Sequence, residues 1–171
     1  MEIAYLGNNC VKIRSKLANF IIDPTENISK TEADAIISLN GNESNISKVS
    51  QFRLIVSGPG EYEIKGVKIS GTKSDAGIIY RLTLDKLGVI LGKASLVSKS
   101  ENVSANVVVL DADEVPSDKV ITAMQPNVVV MYGEKAKEAA KTLKDGGVES
   151  VNRFVVAYEK LPQEMEVVVL G

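Results

Sequence analysis

The chain has 171 residues, 44% of them apolar and 25% charged, with a net charge of −2, which bounds it to a single globular domain with one sizeable core, residues 1–171. That balance supplies no basic field for a phosphate backbone, and with 5% aromatics and no tryptophan it offers few platforms on which bases could stack, so nucleic acid is not an expected partner. The lone cysteine, Cys10, excludes an internal disulfide and fits a reducing compartment.

The opening Met1-Glu2-Ile3-Ala4-Tyr5 lacks the basic segment and apolar stretch of a signal peptide, and no apolar run approaches the length needed to span a membrane. A cytoplasmic protein without a membrane partner is the expectation. The Asn-x-Ser triplets at Asn27, Asn42, Asn45 and Asn102 are then chance matches in a chain rich in Ser and Asn. Residues 2–6 and 11–14 alternate apolar and polar around Gly7-Asn8-Asn9 and read as a hairpin. Phe20-Ile21-Ile22 is a third short strand, stopped at Asp23-Pro24 because proline removes a ladder donor. Residues 25–33 are polar and turn-rich. Ala35-Ile36-Ile37-Ser38 is continuously apolar, as expected of a strand buried on both faces. The polar loop 39–45 follows, then a helical turn over 46–50.

Arg53-Leu54-Ile55-Val56 is the next strand, ended by Gly58-Pro59-Gly60. Four closely spaced strands follow at 61–64, 66–71, 78–84 and 87–91, the spacing of an antiparallel meander. Residues 94–105 lack periodicity, are rich in Ser and read as a loop or a worn-down element. Asn106–Leu110 and Val128–Met131 are valine-rich buried strands, the first ending at Asp111-Ala112-Asp113. Between them Ser117 caps a short helix running to Met124, which Gln125-Pro126 stops. A clearer helix spans 134–145, with Ala136, Ala139, Ala140 and Leu143 as its apolar stripe and Gly146-Gly147 at its end. Strands at 153–156 and 166–170 close the chain. Strands first, then alternating strands and helices, predict an α/β (α+β) protein in which helices flank two packed sheets.

Three stretches resemble one family. Tyr5-Leu6-Gly7, Ile22-Asp23-Pro24 and above all Ser57-Gly58-Pro59-Gly60-Glu61-Tyr62-Glu63-Ile64-Lys65-Gly66-Val67 look like the small, lactonase-like, Zn-dependent hydrolase branch of the metallo-β-lactamase superfamily. The tail, Leu161-Pro162-Gln163-Glu164 before Val167-Val168-Val169-Leu170, adds to the likeness. The resemblance implies a four-layer αββα sandwich of two mixed sheets with outer helices. It also implies a cleft where histidines and aspartates hold one or two zinc ions. This chain has no histidine at all. By the family's register, Leu39, Gly41, Glu43 and Ser44 replace the loop's three histidines and aspartate. Asn8, Ser74 and Tyr132 fall where further histidines are expected, Ser74 next to Asp75. Lys93 falls where an aspartate would bridge the metals. With Asp23, these are the residues of the former metal cleft.

Zinc takes imidazole, thiolate and carboxylate ligands, and a catalytic site wants three of them plus an open position. One thiol and no imidazole leave only a site of oxygens, which suits Mg²⁺, Ca²⁺ or Mn²⁺. Asp23, Glu43 and Asp75 are its candidate ligands. The competing expectation is that the Lys93 ammonium pairs with Glu43, Asp75 or Asp23, because an unpaired buried charge is costly. Metal-free hydrolysis finds no support: Ser44, Ser74 and Cys10 have no histidine base. The Ser70-x-x-Lys73 spacing straddles a glycine turn, and no Gly-x-Ser-x-Gly elbow occurs. Gly58-Pro59-Gly60 lacks the Lys and Ser/Thr of a phosphate loop. The sequence therefore predicts a degenerate metallo-β-lactamase-fold protein without catalytic residues, metal or cofactor. It would be a pseudoenzyme that acts by binding a ligand or protein partner, or by self-association. A hard-cation or weak zinc hydrolase or lactonase is the rival.

Overall fold

The computed structural model describes residues 1–41, 45–74, 77–97, 104–144 and 148–171, residue 74 by its backbone alone. Among these residues the strands sort into two large sheets and a two-stranded ribbon. Five strands from the first third of the chain, joined by one from near its end, build a six-stranded sheet. The hairpin β1 (Glu2–Gly7) and β2 (Cys10–Arg14) turns through Asn8 and Asn9, both at positive φ (51° and 59°), a conformation asparagine tolerates better than most residues. Next come β3 (Asn19–Ile22), the short β4 (Thr31–Glu32), β5 (Ala35–Ile37), β6 (Val49–Ser50) and β7 (Leu54–Val56). β2 and β3 pair antiparallel, while β3, β5 and β7 run parallel. β5 is fully buried, as its unbroken apolar run required.

The anticipated meander is present as β8 (Gly60–Ile64), β9 (Val67–Ser74), β10 (Gly77–Leu84) and β11 (Leu87–Lys93), all antiparallel. The eight-stranded sheet then continues parallel through β12 (Val107–Asp111) and β13 (Val128–Tyr132). β14 (Ser150–Val151) and β15 (Arg153–Val155) follow, and β16 (Glu166–Leu170) lies between β13 and β14. β15 leaves this sheet and pairs with β1 at the edge of the other. In the eight-stranded sheet the parallel neighbours need crossovers, and helices supply them: α1 (Ala94–Val97), α2 (Asp118–Ala123) and α3 (Ala136–Leu143). Among the described residues no helix is long and apolar enough to cross a membrane.

Alternation along the strands sorts the apolar side chains into clusters. Val107, Val109, Val128, Val130, Leu87, Val89, Leu91 and Tyr80 face inward and meet Ile3, Ile13, Phe20, Ile22 and Ile37 of the smaller sheet. Val108, Leu110, Val129 and Met131 face outward under Leu96, Ile121, Ala136, Ala139 and Ala140 of the helices. The outer face of the six-stranded sheet carries a further cluster, Cys10, Ile21 and Ile36 with Ile28, Ala33 and Val49.

Three local expectations change on this frame. The stretch expected to be a helical turn at 46–50 supplies β6, which pairs with β4 as a parallel ribbon. The ribbon brings Val49 over Cys10, Ile21 and Ile36, and burial of that side chain outweighs the helical tendency of so short a segment. Residues 94–97, expected in a loop or a worn-down element, form α1, whose Ala94, Leu96 and Val97 are buried against the larger sheet. α2 begins after Ser117 as foreseen, but the serine side chain makes no capping bond. The Gly146-Gly147 stop of α3 lies outside the described residues.

Candidate functional site

Three parallel strands end side by side. Lys93 closes β11 opposite Asp111 of β12, and Asp111 stands opposite Tyr132 of β13. Strand alternation carries Asp111 and Tyr132 to the same face as Val109 and Val130, which looks into the space between the sheets. The result is a row of ammonium, carboxylate and phenol at the carboxyl ends of parallel strands, where open α/β sheets place their ligands.

The other sheet contributes Asp23, at the end of β3. Its φ of 45° lies in the left-handed region, and two bonds hold it there. Its backbone N–H donates to the Ile37 carbonyl at 3.0 Å, and its Oδ1 accepts the Leu39 N–H at 3.0 Å. Leu39 is fully buried in the inner core. Gly41 sits at φ +67°, with the Ser57 carbonyl 3.3 Å from where a Cβ would stand. Tyr80 braces this corner from the larger sheet: its hydroxyl lies 3.1 Å from the Ser38 carbonyl and 3.3 Å from that of Val56.

Charge is concentrated here. Burial pushes the Asp23 carboxyl up to about 6, against the opposing pull of the Leu39 N–H, the Lys93 ammonium and the Ser38 hydroxyl. Burial also pushes Asp111 up to about 6; Lys93 pulls it down, while Asp113, Asp23 and Glu134 push it further up. Lys93 therefore acts on both carboxylates, although among the described residues no ion pair within 4.0 Å joins it to either. Burial raises the Tyr132 phenol well above its ordinary range, helped by Asp23 and Asp111. Burial pushes the Cys10 thiol up to about 12, with Asp23 adding to it.

The sequence-derived residues divide accordingly. Asp23, Lys93 and Tyr132 come together, and Leu39 and Gly41 shape the adjoining loop. Glu43, Ser44, Asp75 and the Ser74 side chain lie outside the described residues, and with them any pairing of Lys93 with Glu43 or Asp75. Asn8 is exposed; its neighbour Asn9 is the one that reaches in, its Nδ2 3.4 Å from Asp111 Oδ1. Sequence reasoning missed Asn9 and Asp111. Asp111 had a usable signal, a carboxylate directly after a buried valine strand. Gly133 makes room for it, since a Cβ there would lie 2.5 Å from Asp111 Oδ1.

No protein-family model matches the chain, and no curated protein matches it. Solved structures do. A Thermotoga maritima protein assigned as a Zn-dependent hydrolase of the metallo-β-lactamase superfamily superposes with a TM-score of 0.77 over 99% of this chain and 98% of its own, at 21% identity. The chain has the metallo-β-lactamase fold. A variant of the β-hydroxylase CmlA matches more distantly, with a TM-score of 0.53 and 10% identity over 76% of this chain and 45% of that one.

A metallo-β-lactamase fold implies zinc, and the donors that the described residues bring to this cleft do not fit it. They are two carboxylates, Asp23 and Asp111, with no imidazole, while the chain's one thiol, Cys10, lies in the cluster on the outer face of the six-stranded sheet; that is a poor set for Zn²⁺. An ammonium beside both carboxylates opposes any cation further. Among the described residues no three His, Cys, Asp or Glu side chains come together as a metal-holding group.

Proposed function

We propose that this protein keeps the metallo-β-lactamase scaffold without zinc-dependent hydrolysis and acts by binding, through its remodelled cleft or through association with itself or a protein partner. The observation that carries this reading is the absence of histidine from the whole chain, which removes the ligands that activate water in a zinc site. Lys93 supports it from the structure. It stands in the row with Asp111 and Tyr132 and acts on both cleft carboxylates, so a fixed protein cation does the charge-balancing that a dication would otherwise do.

The test is elemental analysis of the purified protein, together with thermal unfolding in EDTA and in added Zn²⁺, Mg²⁺ and Mn²⁺. The expected result is no stoichiometric metal and a Tm that none of these additions moves. One observation favours a second reading, a hydrolase or lactonase using a hard cation: two carboxylates, Asp23 and Asp111, belong to the same cleft. That reading requires a Tm that climbs with Mg²⁺ or Mn²⁺, because a ligand bound only by the folded state at a hundred times its Kd adds about 2.7 kcal/mol. Light scattering separates a self-associating protein from a monomer with a ligand-binding cleft.

A further inference from the structure

At the opposite end of the sandwich from the strand ends that carry Lys93 and Asp111, the turns gather around a second concavity of about 630 Å³. This is within the usual range of small-molecule sites, roughly 300–1,000 Å³. Lys16 and Leu17 come from the β2–β3 turn, Asp85 and Lys86 from the β10–β11 turn, and Tyr158 and Glu159 from the 3-10 turn Tyr158–Lys160. Leu17 and Tyr158 are 59% and 49% exposed, large apolar surfaces that the fold leaves uncovered beside one cavity.

The charges around it are unequal. Asp85 is already engaged: its Oδ2 lies 3.1 Å from the N-terminal ammonium, and its Oδ1 accepts the Lys16 N–H at 3.0 Å. Glu159 pairs with Lys86 at 3.8 Å. Lys16 and Lys68 line the same cavity with no ion pair within 4.0 Å among the described residues. Glu63 stands opposite Lys68 on the neighbouring strand without closing to that distance. We propose that this cavity binds a small organic acid, its anionic group held by Lys16 and Lys68 and its apolar body lying against Leu17 and Tyr158. A purely apolar ligand would leave two ammonium groups unused, and a bare anion would leave the exposed leucine and tyrosine uncovered.

The probe is 8-anilinonaphthalene-1-sulfonate, an aromatic sulfonate, titrated into the full chain by fluorescence and by amide chemical shifts. The expected result is saturable binding that shifts the amides of Lys16, Leu17, Gly66, Lys86 and Tyr158. The double variant Lys16→Glu with Lys68→Glu should bind at least about tenfold more weakly, as reversal of two facing charges requires. Lys119→Glu with Lys137→Glu, on the helical face, should bind as the unaltered chain does. Amide shifts scattered over the surface, equal losses in both double variants, or inorganic phosphate binding as tightly as the sulfonate would each overturn the assignment.

Discussion

Replacing Lys93 by methionine isolates the charge that the cleft is built around. Methionine keeps much of the length and apolar stem of the side chain and removes the ammonium. Asp23 and Asp111 are both raised to about 6 by burial, and Lys93 is a cause that lowers each. At an effective dielectric of about 20, opposite charges 4 Å apart gain roughly 4 kcal/mol, and these pairs are wider than that, so roughly 1–2 kcal/mol per carboxylate is reasonable. The sign follows from proton linkage. A carboxyl whose folded pKa lies above its unfolded value binds more protons when folded, so its burial costs stability as pH rises through the window from about 4 to about 6. Removing Lys93 raises both values further and deepens that cost. Lys93→Met should therefore lose about 2–4 kcal/mol at about pH 8 and less than about 1 kcal/mol at about pH 5, where both carboxyls are largely protonated. Urea unfolding followed by circular dichroism at the two pH values reads this directly. An equal loss at both would mean that the stem matters and the charge does not, and no loss at either would remove Lys93 as the counter-ion.

Two further outcomes follow from the same geometry. Gly133→Ala combines a φ of +99° with a Cβ placed 2.5 Å from Asp111 Oδ1, and should cost about 2–4 kcal/mol from the left-handed backbone and the displaced carboxylate together; the midpoint of a urea titration measures it. Cys10 is fully buried, with its thiol pushed up to about 12, so its modification by an aromatic disulfide reagent at neutral pH should be slow in the folded state and fast in urea. Fast labelling without denaturant would show that the ribbon of β4 and β6 opens readily over it.

Much of this architecture was legible along the chain. The Gly7-Asn8-Asn9 hairpin, the doubly buried strand expected over 35–38 and the valine-rich strands expected over 106–110 and 128–131 follow from patterns of two or from unbroken apolar runs, and the structure has each within a residue of those bounds. The short elements were not legible. β4 and β6 are two residues each, too brief for any periodicity, and their pairing depends on the cover they give to Cys10, Ile21 and Ile36. α1 has four residues, and its burial rather than its propensity makes it a helix. Within the site, Asp23, Lys93 and Tyr132 come from the resemblance, whereas the family's register points to Asn8, and only three-dimensional direction shows that its turn neighbour Asn9 is the one that reaches Asp111.

The sequence by itself determined that no imidazole lines this cleft, since a chain without histidine supplies none wherever its backbone goes. It also determined which segments become buried strands, because that depends on local apolar runs. Only the tertiary structure decided that Lys93, Asp111 and Tyr132 lie abreast and that Asp23 joins them from the other sheet. Those positions are set by strand register and sheet packing, which are contacts between residues far apart in the chain and leave no trace in local spacing.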